Sequence, residues 1–482
     1  MTIQGAYIIV DIGTGNVRVA AASPDGKVLG VAREDIRYEK DPLYPDALQF
    51  DADQLWDQVL RLAGQVLEKV RGYAVKAITA TSQREGIVLL AADGSSLTGL
   101  PNIDHRGREW ESMIADKSSM YRITGRYPTS LFSALKLVGI RERKPEMWKD
   151  CSTFLSISNW VEYKLSGVAR YEHSQASETL LYDVAQQQWS PALCRVFGLD
   201  PAMLAEPVAS ATVLGNILPE VAQQLGVPVD VKIVTGGGDT QLAIKSTRPA
   251  VDDMVIVSGT TTPIVKLTGD YTLDGEERTW TSRDIENGRF IFEANAGVTG
   301  LNYQRLKEIF YPNEDYEVIE KELAENPHTF CMASLGSLLA DEEVPLTRGG
   351  FTFPAPVSHL LTRGSFVWAT MLDIACSIAK NYRILAEVAG HRPGYIWGCG
   401  GGLQSRTLRQ LIANLTGKKV QMRCGYQQSS AIGGALICNE ALQVAIEMDD
   451  VTEVVYPQET ERYAGLYAEW EKTRSYFRNI QA

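Results

Sequence analysis

Seven cysteines are scattered along 482 residues, at Cys151, Cys194, Cys331, Cys376, Cys399, Cys424 and Cys438; none stands in a CxxC pair and none is spaced with histidine as a metal ligand set would be. That pattern excludes a disulfide scaffold and a zinc module, and predicts reduced thiols in a cytoplasmic protein. A basic surplus is missing too. Lys and Arg total 47 against 59 Asp and Glu, a net charge of -12, which excludes broad contact with nucleic acid or an anionic membrane. No apolar run is long enough to cross a bilayer or serve as a signal core: Ala6 to Val10 stops at Asp11, and we expect a chain that is neither exported nor anchored. Low-complexity tracts, charge blocks and the GxGxxG and GxxxxGK[ST] spacings are also absent. Extended disordered linkers, a Rossmann site and a P-loop are thereby removed.

What is present is the composition of a folded protein, 45% hydrophobic and 22% charged with 41 glycines and 20 prolines. The length exceeds one ordinary core and suits two domains of about 200 residues or more each. Ile8-Ile9-Val10 is a buried-strand pattern, Asp11 to Asn16 supply a turn, and Val17 to Ala20 return as a second strand. The same device recurs at Met254 to Val257, Ser258 to Thr262 and Ile264 to Leu267. Each hairpin would open one domain, 1–245 and 246–482, with the joint near Ile244 to Asp253. Helical stretches at Ala52 to Val70 and Trp160 to Ser166 alternate with apolar runs such as Val75 to Ala80. Later, a long amphipathic helix over Phe366 to Ala389 precedes a strand at Tyr395-Ile396-Trp397, the run Gly400-Gly401-Gly402, and a helix over Arg406 to Leu415. The fold class is therefore α/β.

Several segments carry chemistry. Asp11-Ile12-Gly13-Thr14-Gly15-Asn16 lets backbone N–H groups approach phosphate oxygens, with Asp11 placed to hold Mg²⁺ through water and Arg18 within a strand's length; it also reads as an ordinary turn. Gly259-Thr260 has the same two readings, and the two turns together describe a clamp on a polyphosphate. Cys399-Gly400-Gly401-Gly402-Leu403-Gln404-Ser405 joins a strand to a helix, where a nucleotide or merely a tight turn fits. Arg84-Glu85 sets a charged pair among apolar residues, as a grip on vicinal hydroxyls or a structural ion pair. Asn102-Ile103-Asp104-His105-Arg106 adds alternate polar side chains. Gly236-Gly237-Gly238-Asp239-Thr240 ends a strand on one carboxylate, so Asp239 is the candidate general base and equally a helix N-cap.

Taken in order, these segments resemble the FGGY carbohydrate kinase family over nearly the whole chain. The family's Asp-x-Gly-Thr appears as Asp11 to Thr14, its Arg-Glu pair as Arg84-Glu85, its Asn/Trp-x-Asp as Asn102 to Asp104, and its Gly-x-Gly-Asp as Gly236 to Asp239. Its mid-chain block looks like Ser174-Gln175-Ala176-Ser177 and Leu181-Tyr182-Asp183, and its second phosphate loop like Gly259-Thr260. The resemblance implies two RNase H-like, actin-type domains closing over a cleft, Mg-ATP as phosphoryl donor, and a small sugar or polyol as acceptor. It implies substrate contacts from Arg84, Glu85, Asn102, Asp104, Asp239 and Thr240, with Asp239 catalytic. ATP would fall to Gly13, Thr14, Gly15, Asn16, Arg18, Gly259, Thr260, Gly400, Gly401 and Ser405, and the metal to Asp11.

Phe132-Ser133-Ala134-Leu135-Lys136 keeps the family's Phe-Ser-x-x-Lys, but Gly139 stands where tryptophan is usual and Leu131 where glycerol kinases carry a substrate-contacting tyrosine, which argues against glycerol. Arg84 to Leu89, Asn102 to Arg106 and Gly236 to Leu242 look most like autoinducer-2 kinases, whereas Thr261-Thr262-Pro263 replaces aromatics found there. A pentulose kinase and a catalytically silent sugar or nucleotide sensor are the alternatives, and monomer and homodimer both stay open.

Overall fold

β1 (Gly5–Ile12) and β2 (Asn16–Ala22) pair antiparallel as the first hairpin, and Tyr7-Ile8-Ile9-Val10 is buried on both faces of the sheet, hence its unbroken apolar run. β3 (Val28–Asp35) continues the meander. α1 (Ala52–Lys69) follows, capped by Asp51, whose Oδ1 accepts from Gln54 N at 3.0 Å. β4 (Ala74–Ser82), β5 (Val213–Asn216), β6 (Lys232–Gly238) and α2 (Asp239–Ser246) complete the frame. The strands lie in the order β5-β6-β4-β1-β2-β3, with β1, β4 and β6 mutually parallel and the edges antiparallel. The structure, a computed structural model, describes residues 4–42, 44–325, 330–448 and 452–480.

The second sheet repeats the first. β7 (Met254–Val257) and β8 (Thr261–Thr268) form the second hairpin, flanked by β9 (Phe290–Val298). α3 (Arg363–Ala389) is buried along most of its 27 residues and begins in a capping box between Thr362 and Ser365. β10 (Tyr395–Cys399), α4 (Arg406–Thr416), β11 (Lys419–Arg423) and β12 (Thr452–Val455) follow. β7 pairs parallel with β10 and β10 with β11, so the sequence antiparallel, parallel, parallel across β8-β7-β10-β11 copies that across β2-β1-β4-β6. This doubled hairpin-and-crossover layout is the two-domain actin-like fold expected from the sequence.

The domain boundaries need correction. The first unit comprises 1–246, 269–291 and 428–449, and the second comprises 247–268, 292–427 and 450–482, so 246–482 is not one body. The reason lies in small residues. On α5 (Ser429–Ala441), a Cβ at Gly433 would sit 1.9 Å from Leu242 O of α2, and one at Gly434 would sit 2.7 Å from Ile9 of β1. Only glycine lets this helix come so close to the first unit's sheet. Tyr7 then donates to Asn439 at 2.9 Å across 432 positions. None of the seven cysteines is in a disulfide, and among the described residues no helix is long and apolar enough to cross a membrane.

Candidate active site

Three parallel strands of the first unit end level with one another. Register sets Asp11 opposite Thr81 and Thr81 opposite Gly237, then Ile12 opposite Ser82 and Ser82 opposite Gly238. Gly13, Arg84-Glu85 and Asp239-Thr240 therefore leave the sheet side by side, at the carboxyl ends where open α/β sheets take their ligands. Asp11 and Asp239 stand two strand spacings apart, about 10 Å.

The Gly236-Gly237-Gly238 run is glycine because there is no room: a Cβ at Gly236 would stand 1.9 Å from Ala80 O. Side chains behind it hold its backbone. Glu162 Oε1 accepts from Gly236 N at 2.7 Å, Ser174 Oγ accepts from Gly238 N at 3.0 Å, and Thr81 Oγ1 donates to Gly237 O at 2.8 Å. Glu172 accepts from Ser174 N at 2.8 Å. Burial pushes the Glu162 carboxyl up to about 8 and the Glu172 carboxyl up to about 7. Asp239 keeps part of its surface open, but its setting among protein atoms pushes its carboxyl up to about 6, with Arg84 pulling it down and Asp11 pushing it further up. Asp239 is the first residue of α2, and its Oδ1 accepts from Thr240 N at 2.6 Å and Thr240 Oγ1 at 3.2 Å, a contact to the next residue and not the bond two or three residues on that an N-cap makes.

Glu85 has φ of 62°, a left-handed backbone that a non-glycine residue adopts at a cost. Burial and the neighbouring Glu178 carboxylate hold its carboxyl well above the usual range. Arg84 Nη1 lies 3.8 Å from Glu178, which also pairs with Arg126. Ser133 Oγ donates to Glu85 O at 3.1 Å.

The first turn is tied to the 102–106 loop. Asn102 Nδ2 donates to Thr14 Oγ1 at 3.0 Å; Gln83 donates to Gly13 O at 3.2 Å and accepts from Asn102 N at 2.9 Å. Asp11 faces Arg18 across the hairpin and accepts from Ser430 Oγ at 2.6 Å, while burial keeps its carboxyl above the usual range. Gly15 is exposed, and a Cβ there would meet nothing within 4 Å.

In the second unit, β7 and β10 end level, Val257 opposite Cys399. Gly400 N donates to Tyr426 O at 2.8 Å and Gly402 N to Ser258 O at 2.9 Å. Gly400 has φ of 97°, and a Cβ on it would stand 2.3 Å from Ser258 O, so the glycine segment and the Gly259-Thr260 turn are packed backbone on backbone. Gly259, Thr260 and Gly401 remain exposed.

Two family models match: the N-terminal domain of the FGGY family of carbohydrate kinases over residues 6–245, and its C-terminal domain over residues 335–442. The chain belongs to the FGGY family of carbohydrate kinases. This FGGY kinase is 49% identical over 477 residues to the protein named "Putative sugar kinase YoaC" of Bacillus subtilis strain 168, covering 98% of both chains. It is 25% identical over 472 residues to the autoinducer-2 kinase of Escherichia coli K12, covering 92% of this chain and 87% of that protein. Its fold matches a ligand-bound xylulose kinase from Lactobacillus acidophilus with a TM-score of 0.85 at 18% identity over 98% of each.

Within the FGGY kinase, the first unit brings together Asp11, Gly13, Arg84, Glu85, Asp239 and Thr240 at the strand ends, with Thr14 and Asn102 joined beside them. Asp104 is fully buried; Arg106 Nε donates to it at 2.8 Å and Leu48 N at 2.8 Å, so its carboxylate secures the loop. Ser405 caps α4 through Leu408 N at 3.1 Å and donates to Glu320 at 2.5 Å. Sequence reasoning did not assign Gln83, Glu178, Arg126 or Lys136. Lys136 is buried and donates to Asp104 O at 2.6 Å and Asn102 O at 3.1 Å. The Phe-Ser-x-x-Lys pattern signalled it without disclosing that role.

Proposed function

We propose that this carbohydrate kinase transfers the γ-phosphoryl group of ATP to a hydroxyl of an open-chain sugar, ketose or polyol, with Asp239 as general base. The observation that supports the reading is the common level of the β1, β4 and β6 ends, from which Asp239, Arg84 and Glu85 leave the sheet beside Asp11.

The residues fit the nucleotide. Neither packing nor backbone angle requires glycine at Gly13 or Gly15: both lack left-handed backbone, and a Cβ would meet nothing closer than 3.8 Å. Open backbone without a side chain is what close approach of phosphate oxygens needs. Among the described residues no group of three or more His, Cys, Asp and Glu forms a metal cage. Asp11 alone suits Mg²⁺, which takes one or two carboxylates and completes its shell with phosphates and water. Mg-ATP supplies the phosphoryl group and neutralises charge on it.

The chain's own residues do the rest. Arg84 donates to a substrate oxygen, and the Glu85 carboxyl, held in its strained turn, engages a neighbouring hydroxyl. Asp239 takes the proton of the attacking hydroxyl as the new O–P bond forms and the bond to the ADP leaving oxygen breaks. A carboxyl raised to about 6 is ionised at neutral pH yet a better base than an ordinary aspartate. The likeness to autoinducer-2 kinase puts the open-chain autoinducer-2 precursor on the panel beside pentuloses and polyols. The test is ADP release with Mg-ATP, alone and with each compound. Strong stimulation by one acceptor supports the reading; ADP release that ignores every acceptor while ATP binds tightly would sink it.

A further inference from the structure

Arg126 and Glu178 are both fully buried, 52 positions apart, and paired. Nothing in the reaction as derived uses them. A buried ion pair is costly, and an apolar pair of similar volume would serve packing as well or better. Their surroundings show a direction. Glu178 Oε1 is shared: it accepts from Arg126 Nη2 and lies 3.8 Å from Arg84 Nη1, while Glu178 Oε2 has no hydrogen-bond partner. Arg126 is fixed from its other side, with its guanidinium 4.9 Å over the ring of Trp280. Trp280 comes from the 269–291 excursion, docked by Thr281 N donating to Gly125 O at 2.8 Å; a Cβ at Gly125 would meet Thr281 O at 2.1 Å. Ser133 Oγ lies within 3.5 Å of Glu178 O and donates to Glu85 O, tying the two backbones together. Arg84 runs past the catalytic loop, its Cγ 3.5 Å from where a Cβ on Gly238 would stand.

We infer that Glu178, locked by Arg126 and Trp280, is a positioning residue: it fixes the guanidinium of Arg84 so that it meets the acceptor substrate beside Asp239. This rests on the function proposed above. One buried carboxylate oxygen facing two guanidinium groups turns a flexible four-carbon side chain into a preorganised donor, which saves ordering on binding. The pair thus acts on the sugar side of the reaction and leaves the nucleotide side untouched.

The test uses the protein in three forms: wild type, E178Q, and the paired R126M/E178M, which removes both members of the fully buried pair so that neither is left facing a missing partner if E178Q fails to fold. KM and kcat are measured for acceptor and for ATP, and crystal structures locate Arg84. The expected result in the paired variant is an acceptor KM raised about tenfold or more, the loss of roughly one charge-assisted hydrogen bond, with the ATP KM within about twofold. Arg84 should leave its wild-type position. An unmoved Arg84, or an unchanged acceptor KM in the folded paired variant, overturns the inference and leaves the pair a packing device. If no acceptor stimulates the wild type, the proposed reaction fails instead, and the place of Arg84 in the variant crystals still decides the positioning.

Discussion

Asp239 is the residue on which the proposed chemistry turns, and its surroundings make it testable in two ways. D239N keeps the shape and the acceptor of the Thr240 N bond while losing the proton acceptor, so kcat should fall by about 10² to 10⁴ with ATP affinity nearly unchanged. Because the carboxyl is raised to about 6, kcat/KM should fall as pH drops through that value. A profile flat to pH about 4.5 would assign the proton to another group. The carboxyls nearby predict something about stability. Glu162, Glu172 and Asp239 are raised to about 8, 7 and 6, so between the unfolded values and these the native protein holds protons the unfolded chain has lost. Such groups stabilise at low pH and lose that contribution as pH rises through the native values, so Tm should decline from about pH 5 to about pH 8.5. A Tm that climbs across that window would show these carboxyls ionised in the fold.

Elements explain why some of this could be read from the chain and some could not. Both hairpins, α1, α3 and the glycine runs were legible because their signals are local: an apolar run bounded by turn residues, or an apolar face repeating every three to four positions. The helix expected over Ala52 to Val70 spans Ala52–Lys69, and the strand Met254 to Val257 falls where it was expected. The burial of Asp104 was not legible because its partners, Arg106 and Leu48 N, reach it only once the loop folds. Glu178 and Arg126 were invisible for the same reason. Glycines sort into two kinds by what surrounds them. G236A forces a Cβ against Ala80 O between two strands and should cost about 1–3 kcal/mol, read as a lowered urea midpoint. G15A meets nothing in the protein and should leave the midpoint unchanged while raising the KM for ATP. Equal effects of the two on stability would remove the argument that Gly15 is kept open for a ligand.

At the scale of the whole molecule, the first unit does not end where its first long segment ends. Tyr7, Ile9, Ala22, Ala77, Val234 and Leu242 share one buried cluster with Ala435, Ile437 and Cys438 of α5. A fragment of residues 1–246 should therefore expose that face and aggregate or bind hydrophobic dye, even though it holds the β1, β4 and β6 ends. A monomeric, cooperatively melting fragment would show that α5 is dispensable.

That arrangement bears on synthesis. The chain passes between the two units five times, first after Ser246 and last after the segment 428–449. During translation the ribosome releases Asp239, Arg84 and the Asp11 to Asn16 turn early, but the helix that closes their sheet emerges only after Ala441. Until then the first unit is an unfinished sheet with an apolar face awaiting α5, and nascent chains halted before Ala441 should be captured by chaperones where chains that include α5 are not.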